Sequence, residues 1–121
     1  MAIKGSCHCG ATQFEVSEAP ESMTQCTCSI CSKRGALWAF YTPEQFTLNA
    51  QDDAATYQWG SHTVKLHFCS VCGCSTYSES PEWTDHKPDF TRARIGVNAR
   101  LFDNFNLDAV PVELLNGKNL W

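Results

Sequence analysis

The sequence predicts a mainly β fold in a single domain over residues 1–121, and three observations carry that expectation. Apolar and polar residues alternate with a period of two in several short runs, where a helix would show a period near 3.6. The runs are rich in β-branched and aromatic residues and are bounded by turn formers. Pro43, Pro81, Pro88 and Pro111 fall between the runs or at their edges, where strands tolerate proline.

In chain order the expected strands are ATQFEV (11–16), LWAFYT (37–42), ATYQW (55–59), VKLHFC (64–69) and TRARIGVN (91–98). Helix is expected only in brief turns, one after Cys28 and one around Pro43-Glu44-Gln45. The segment SESPEWTDHKPD (78–89) mixes charge with proline and reads as a surface loop. No linker, repeat or low-complexity stretch divides the chain.

With 121 residues, a domain buries somewhat under about 70% of its unfolded surface, enough for a modest core. A hydrophobic content of 43% against 18% charged residues is that of a globular chain, not a disordered one. The net charge of −4 excludes a nucleic-acid binder that works by bulk electrostatics. No apolar run approaches the ~20 residues of a membrane span. MAIKGSCHCG has no hydrophobic core of an export signal, so the expected compartment is the cytoplasm. Thiols stay reduced there, and eight cysteines then call for an explanation other than disulfides.

They fall into three groups: Cys7 and Cys9; Cys26, Cys28 and Cys31; Cys69, Cys72 and Cys74. On a strand, residues two apart face one side, so each C-x-C presents two sulfurs together. A C-x-x-C closes through a tight turn, and the glycine that follows is free to take positive φ. Such pairs meet the tetrahedral demand of zinc. Core filling by buried thiols suits one cysteine but not eight in three tight groups. A redox C-x-x-C wants a βαβ setting, which is not visible here. Iron–sulfur clusters use the same donors. Two partitions are open: four and four, giving two closed sites, or four and three, giving one closed site and one with a free position, the form that catalytic zinc takes.

The ordered set GSCHCGATQFEV, CTCSICSKRGALWAFYTPEQFTL, HFCSVCGCSTY, RIGVNARLFD and VELLNGKNLW resembles the glutathione-dependent formaldehyde-activating enzyme family, also called the centromere protein V type. The resemblance runs over nearly the whole chain. It implies a β-tent fold built on two zincs, shared with methionine sulfoxide reductase B and a Rab exchange accessory factor. It further implies that Cys7, Cys9, Cys69 and Cys72 hold a structural zinc. Cys26, Cys28 and Cys31 would hold the second, catalytic zinc, whose fourth position takes water or a substrate thiol. The implied reaction joins glutathione and formaldehyde as S-hydroxymethylglutathione, a carbon–sulfur lyase step run backward.

Zinc with three thiolates carries a formal charge of −1 and activates water poorly compared with a zinc on three neutral histidines. It prefers a fourth sulfur, and coordination lowers the pKa of a thiol from about 8.5. A thiol substrate therefore suits the site better than hydrolysis. Lys33 and Arg34 follow Cys31 and are expected to offset the charge or to hold a glutathione carboxylate; an ordinary exposed turn is the competing reading.

His8 lies between two ligand cysteines and is expected to point away from the metal. His67 is expected in ordinary strand packing, with the second zinc as the alternative. Trp38 and Phe40 are read as core, with a pocket wall as the alternative, and Arg92, Arg94 and Arg100 as a solvated face, with anion recognition as the alternative. Cys74 is outside the seven implied ligands and is expected as a thiol near the second zinc that does not bind it, the alternative being its fourth ligand. Three functions remain: an enzyme forming the glutathione–aldehyde adduct, a glutathione carrier, and a non-catalytic zinc module acting through a partner.

Overall fold

A computed structural model of the chain describes residues 2–52, 54–59, 62–84 and 87–117. Ten strands lie among them: β1 (Ile3–Ser6), β2 (Thr12–Val16), β3 (Met23–Cys26), β4 (Trp38–Tyr41), β5 (Phe46–Gln51), β6 (Ala54–Tyr57), β7 (Lys65–Cys69), β8 (Ser75–Thr84), β9 (Lys87–Asn98) and β10 (Val112–Leu115). One short helix, α1 (Ser29–Arg34), and a 3-10 turn at Pro43–Gln45 stand where helix was expected. The domain is mainly β, as the alternating runs predict.

The strands form two sheets. The smaller has the order β1-β2-β5 and the larger β10-β3-β4-β9-β8-β7-β6. Period two explains how they meet: Thr12, Phe14 and Val16 of β2 are buried while Gln13 is exposed. Phe14 and Val16 pack into one core with Ala39 and Tyr41 of β4, Tyr77 of β8, and Ile95 and Val97 of β9. Full burial of a Val- or Phe-sized side chain stabilises by about 1.5–3 kcal/mol each. Gly5 lets β1 lie on this core, because a Cβ there would meet the Phe14 ring at 2.5 Å and the Leu101 carbonyl oxygen at 2.7 Å.

The opposite face of the large sheet carries a second cluster of Ala36, Trp38 and Leu66, against which Ile30 and Cys31 pack. This face positions α1 over the sheet.

Segment 78–89 departs from expectation. It is not a loop: its described residues belong to the β8–β9 hairpin, while Asp85 and His86 lie outside the described residues. Pro81 is buried at the register shift between Pro81 and Glu82, so a bulge absorbs the missing N–H. Little of this hairpin's far end is buried, with Trp83 and Phe90 both exposed. Backbone pairing with a neighbouring strand holds it, and hydropathy alternation cannot report that.

Candidate functional site

The structure gathers seven of the eight cysteines into two sets. Cys7, Cys9, Cys69 and Cys72 form one, and Cys26, Cys28 and Cys31 the other; within each, the sulfurs lie within 4.8 Å of one another. None of the eight is in a disulfide.

In the four-cysteine set two turns face each other. The Gly10 N–H donates to the Cys7 carbonyl at 3.1 Å, and the Gly73 N–H to the Cys69 carbonyl at 2.9 Å. Gly10 at φ 84° and Gly73 at φ 82° take the left-handed backbone that each turn needs. The Cys7–Cys9 pair thus converges through a turn just past β1, not along a strand as its spacing suggested. The sulfur separations are 3.6 Å for Cys7–Cys9 and 3.5 Å for Cys9–Cys69. A tetrahedron of ~2.3 Å zinc–sulfur bonds has edges of roughly 3.8 Å, so the donor set fits a tetrahedral metal.

Backbone amides surround these sulfurs. Thr12 N–H reaches Cys7 Sγ at 3.4 Å. The Cys74 and Cys9 N–H groups hold the Cys72 thiol down at about 5. Cys9 accepts the Ala11 N–H, yet sharing its thiol with Cys69 and Cys7 pushes it up to about 12. One thiol pushed down and one pushed up means that four adjacent sulfurs cannot ionise together without a cation. A divalent metal would displace the remaining protons.

The three-cysteine set is built from a strand end and a helix start. Cys26 closes β3, Cys28 is the N-cap of α1, and Cys31 sits in its first turns. The Cys28 N–H donates to Cys26 Sγ at 3.4 Å. Burial pushes the Cys31 thiol well up, helped by Cys28, while a hydrogen bond with the Trp38 side chain pulls the other way. From outside, β10 braces the loop: it pairs in parallel with β3, Leu115 beside Cys26, and the Thr27 N–H donates to the Leu115 carbonyl at 3.0 Å. This set too has the all-thiolate donors that suit zinc, with three members instead of four.

Cys74 belongs to neither set. It was expected near the second one, but its neighbours are those of the first. It accepts the His8 N–H, while burial and the adjacent Cys72 leave its thiol raised. The reason is local. The Cys69 N–H donates to the Cys74 carbonyl at 3.0 Å, which folds the chain back beside the turn.

A cleft of about 480 Å³ opens beside α1, with Arg34, Gly35, Phe68, Cys74, Asn98 and Arg100 among its lining residues. Arg34 lies over the rings of Tyr57 and Phe68, at 5.4 Å and 5.2 Å from their centroids. Arg100 Nε donates to the Gly35 carbonyl at 3.0 Å. Lys33 is exposed and does not line the cleft. Asn98 went unremarked in the sequence reading. It is buried, accepts the N–H groups of Leu37 and Arg100, and donates to the Ser75 carbonyl at 2.9 Å, so it ties β4, β8 and β9 at the cleft floor. A polar residue at an otherwise buried position of RIGVN was the only signal for it.

Other residues resolve simply. His8 is exposed. His67 stacks on Tyr77 at 4.4 Å and contacts Thr56 and Glu79, so it packs within the strands and serves neither set. Trp38 is buried, but Phe40 is 38% exposed and carries Arg94, whose guanidinium lies 3.9 Å from the ring centroid. Phe40 was expected in the core; its strand face is the one that holds Trp38, and that face thins toward the hairpin.

No helix among the described residues is long and apolar enough to cross a membrane. A family model described as glutathione-dependent formaldehyde-activating enzyme matches residues 2–109. A Halomonas elongata protein that carries the same family's name provisionally is 29% identical over 107 residues, 77% of this chain. The match spans 66% of that relative's length. A crystal structure of a Rhodobacter sphaeroides protein from structural genomics superposes with a TM-score of 0.72 at 29% identity, covering 91% of this chain and 99% of that one. With a match over most of its length and both cysteine sets assembled, the chain belongs to the glutathione-dependent formaldehyde-activating enzyme family.

Proposed function

We propose that the chain binds two zinc ions and uses the three-cysteine set to hold the thiol of glutathione, or of a similar small thiol, for addition to formaldehyde or another small aldehyde. Cys7, Cys9, Cys69 and Cys72 would hold the structural ion, and Cys26, Cys28 and Cys31 the reactive one. One observation carries the reading. The second set has three sulfurs where the first has four, and the spare cysteine, Cys74, lies beside the first set. A zinc ion bound at Cys26, Cys28 and Cys31 would supply a soft Lewis-acid position that favours thiolate over water.

The chain's own groups do the rest. The Cys28 N–H fixes the Cys26 sulfur, and the Trp38 side chain does the same for Cys31. Arg34, on the same short helix as Cys31, brings positive charge toward a centre that becomes more negative when a thiolate enters. Lys33 adds to that field from the exposed side. In the reaction the thiolate sulfur forms a bond to the carbonyl carbon, the π pair moves to oxygen, and a solvent proton completes the hydroxymethyl thioether. A concave cleft at the C-terminal end of α1 favours this reading over a non-catalytic module.

Elemental analysis and exchange NMR test it together. The expected result is about two zinc ions per chain, and faster exchange between glutathione and its formaldehyde adduct at catalytic protein concentration. Iron in place of zinc, or an exchange rate unchanged by the protein, overturns it. Slowed exchange at stoichiometric protein alone would mark a carrier instead.

A further inference from the structure

The four-cysteine set has a fifth sulfur against it. Cys74 belongs to neither set, yet its side chain hydrogen-bonds that of Cys72, and its sulfur accepts the His8 N–H from the facing turn. The Cys74 N–H donates to the Cys72 sulfur in return. A tetrahedral metal takes four of these five thiols. One thiol is therefore left over, in contact with a ligand.

The pair is also within reach. Cys7 and Cys69 are buried, whereas Cys72 and Cys74 are half-buried, and Gly73 and Cys74 line the cleft of about 480 Å³. Cys9 is exposed as well, but the sulfurs around it, those of Cys7, Cys69 and Cys72, all belong to the set. The three-cysteine set has no spare sulfur in its group.

The backbone suits a bond between Cys72 and Cys74. Gly73, at φ 82°, turns the chain between them, and the Cys69 N–H on the Cys74 carbonyl at 3.0 Å folds Cys74 back onto the turn. A disulfide needs the sulfurs to close from hydrogen-bond contact to ~2.05 Å, so the residue between them has to yield. Glycine yields most readily.

We propose that Cys72 and Cys74 are a peroxide-oxidised pair: a hydroperoxide converts them to a disulfide, takes Cys72 away from the four-cysteine set and so discharges the metal there. This rests on the reading that the set holds a structural zinc. A metal-bound thiolate is the nucleophile. The Cys72 sulfur attacks one oxygen of hydrogen peroxide, forming an S–O bond as the O–O bond breaks, and the departing hydroxide takes the Cys74 proton to leave as water. The Cys74 sulfur then attacks the Cys72 sulfenic acid, forming the S–S bond as the S–O bond breaks. A solvent proton completes the second water. Each sulfur gives up one electron, and the peroxide accepts both.

Cys7, Cys9 and Cys69 alone are then left to the metal, and the link between the β1–β2 turn and the β7–β8 turn loosens. Structural zinc binding is folding free energy, so peroxide acts on the fold itself. A dithiol returns both thiols by exchange, which makes the response reversible.

The zinc-loaded protein is treated with equimolar hydrogen peroxide. Zinc release is followed with a chromophoric chelator, and the cysteines are mapped by alkylation and mass spectrometry. The expected result is loss of about one zinc ion per chain, a Cys72–Cys74 disulfide, and recovery of the zinc once dithiothreitol and metal are added. In Cys74→Ser, dimedone trapping of the Cys72 sulfenic acid should rise about tenfold over wild type, because a contacting thiol otherwise captures it as an intramolecular reagent.

The pair is overturned if Cys74 stays open to alkylation after the zinc has left, if the first disulfide joins other cysteines, or if dimedone labels Cys72 equally in wild type and Cys74→Ser. The wild-type mapping needs no variant to fold. Zinc bound and then released without this disulfide removes the pair and leaves the metal reading standing. A Cys72–Cys74 disulfide formed in protein that purifies with no zinc removes the metal reading, while the oxidisable pair stands.

Discussion

The two cysteine sets use the same donor atoms for different ends of the architecture. The four-cysteine set joins residues 60 positions apart, Cys9 to Cys69, and so ties the β1–β2 turn to the β7–β8 turn. Its members accept amide hydrogen bonds from Thr12, Ala11, Cys9 and Cys74, all in or beside the two turns. The three-cysteine set spans only Cys26 to Cys31 and crosslinks nothing distant. Its support comes from β10, Trp38 and α1, elements that would pack without it. Closing a long loop is a structural task, while a short set held by preformed neighbours can leave a coordination position free. On the proposed reading, the difference in sulfur count follows a difference in task.

That contrast can be broken by mutation, beginning with the largest effect. Cys69→Ser should abolish cooperative folding, since a structural zinc contributes folding free energy on the order of 10 kcal/mol. Far-UV circular dichroism and a thermal melt check it, and a cooperative melt near that of the wild type would break the comparison. Gly5→Ala tests the strand that delivers Cys7. Its methyl would press on the Phe14 ring and the Leu101 carbonyl, costing about 3 kcal/mol through overpacking, measured by chemical denaturation.

Cys28→Ser should behave differently. Elemental analysis should fall from two metals per chain to one, while the melt stays cooperative and loses about 1–2 kcal/mol, within the ordinary range for a buried substitution. If it unfolds as Cys69→Ser does, the two sets share one task. Cys74→Ser should move least: both metals retained and stability within about 0.5 kcal/mol of wild type. With cobalt in the three-cysteine set, the resting protein should show three sulfurs and one oxygen, changing to four sulfurs with glutathione. Loss of a sulfur on Cys74→Ser would instead make Cys74 the fourth ligand.

The central strands were legible because they are half-buried. TQFEV alternates against a core, and the alternation is written in its hydropathy, while WAFY is apolar throughout with three of its four residues buried. The edges were not. Along β10, Val112 and Leu114 are exposed, and the strand is placed by parallel pairing to β3, a partner some ninety positions away. The β8–β9 hairpin was hidden for a related reason, since mutual pairing and a bulge at Pro81 sustain it. Cysteine spacing marked both sets, because local geometry brings each pair together. The placement of Cys74 depended on a backward turn, Cys69 N–H to Cys74 carbonyl, for which Gly73 was the sole written hint.

The brace from β10 has a consequence for the order in which the chain is made. Thr27 is held by Leu115, 88 residues downstream, so that contact is among the most distant in the fold. During synthesis from the N-terminus, at about 5–20 residues per second, Cys26, Cys28 and Cys31 emerge early. The clamp on their loop emerges many seconds later. Contacts of such high sequence separation close slowly, because the chain entropy of the long loop opposes them. The four-cysteine set, complete once Cys72 has emerged, can seal first. For that interval the nascent chain exposes three clustered thiols with no β10 over them. A metal captured early would protect these thiols until β10 pairs with β3.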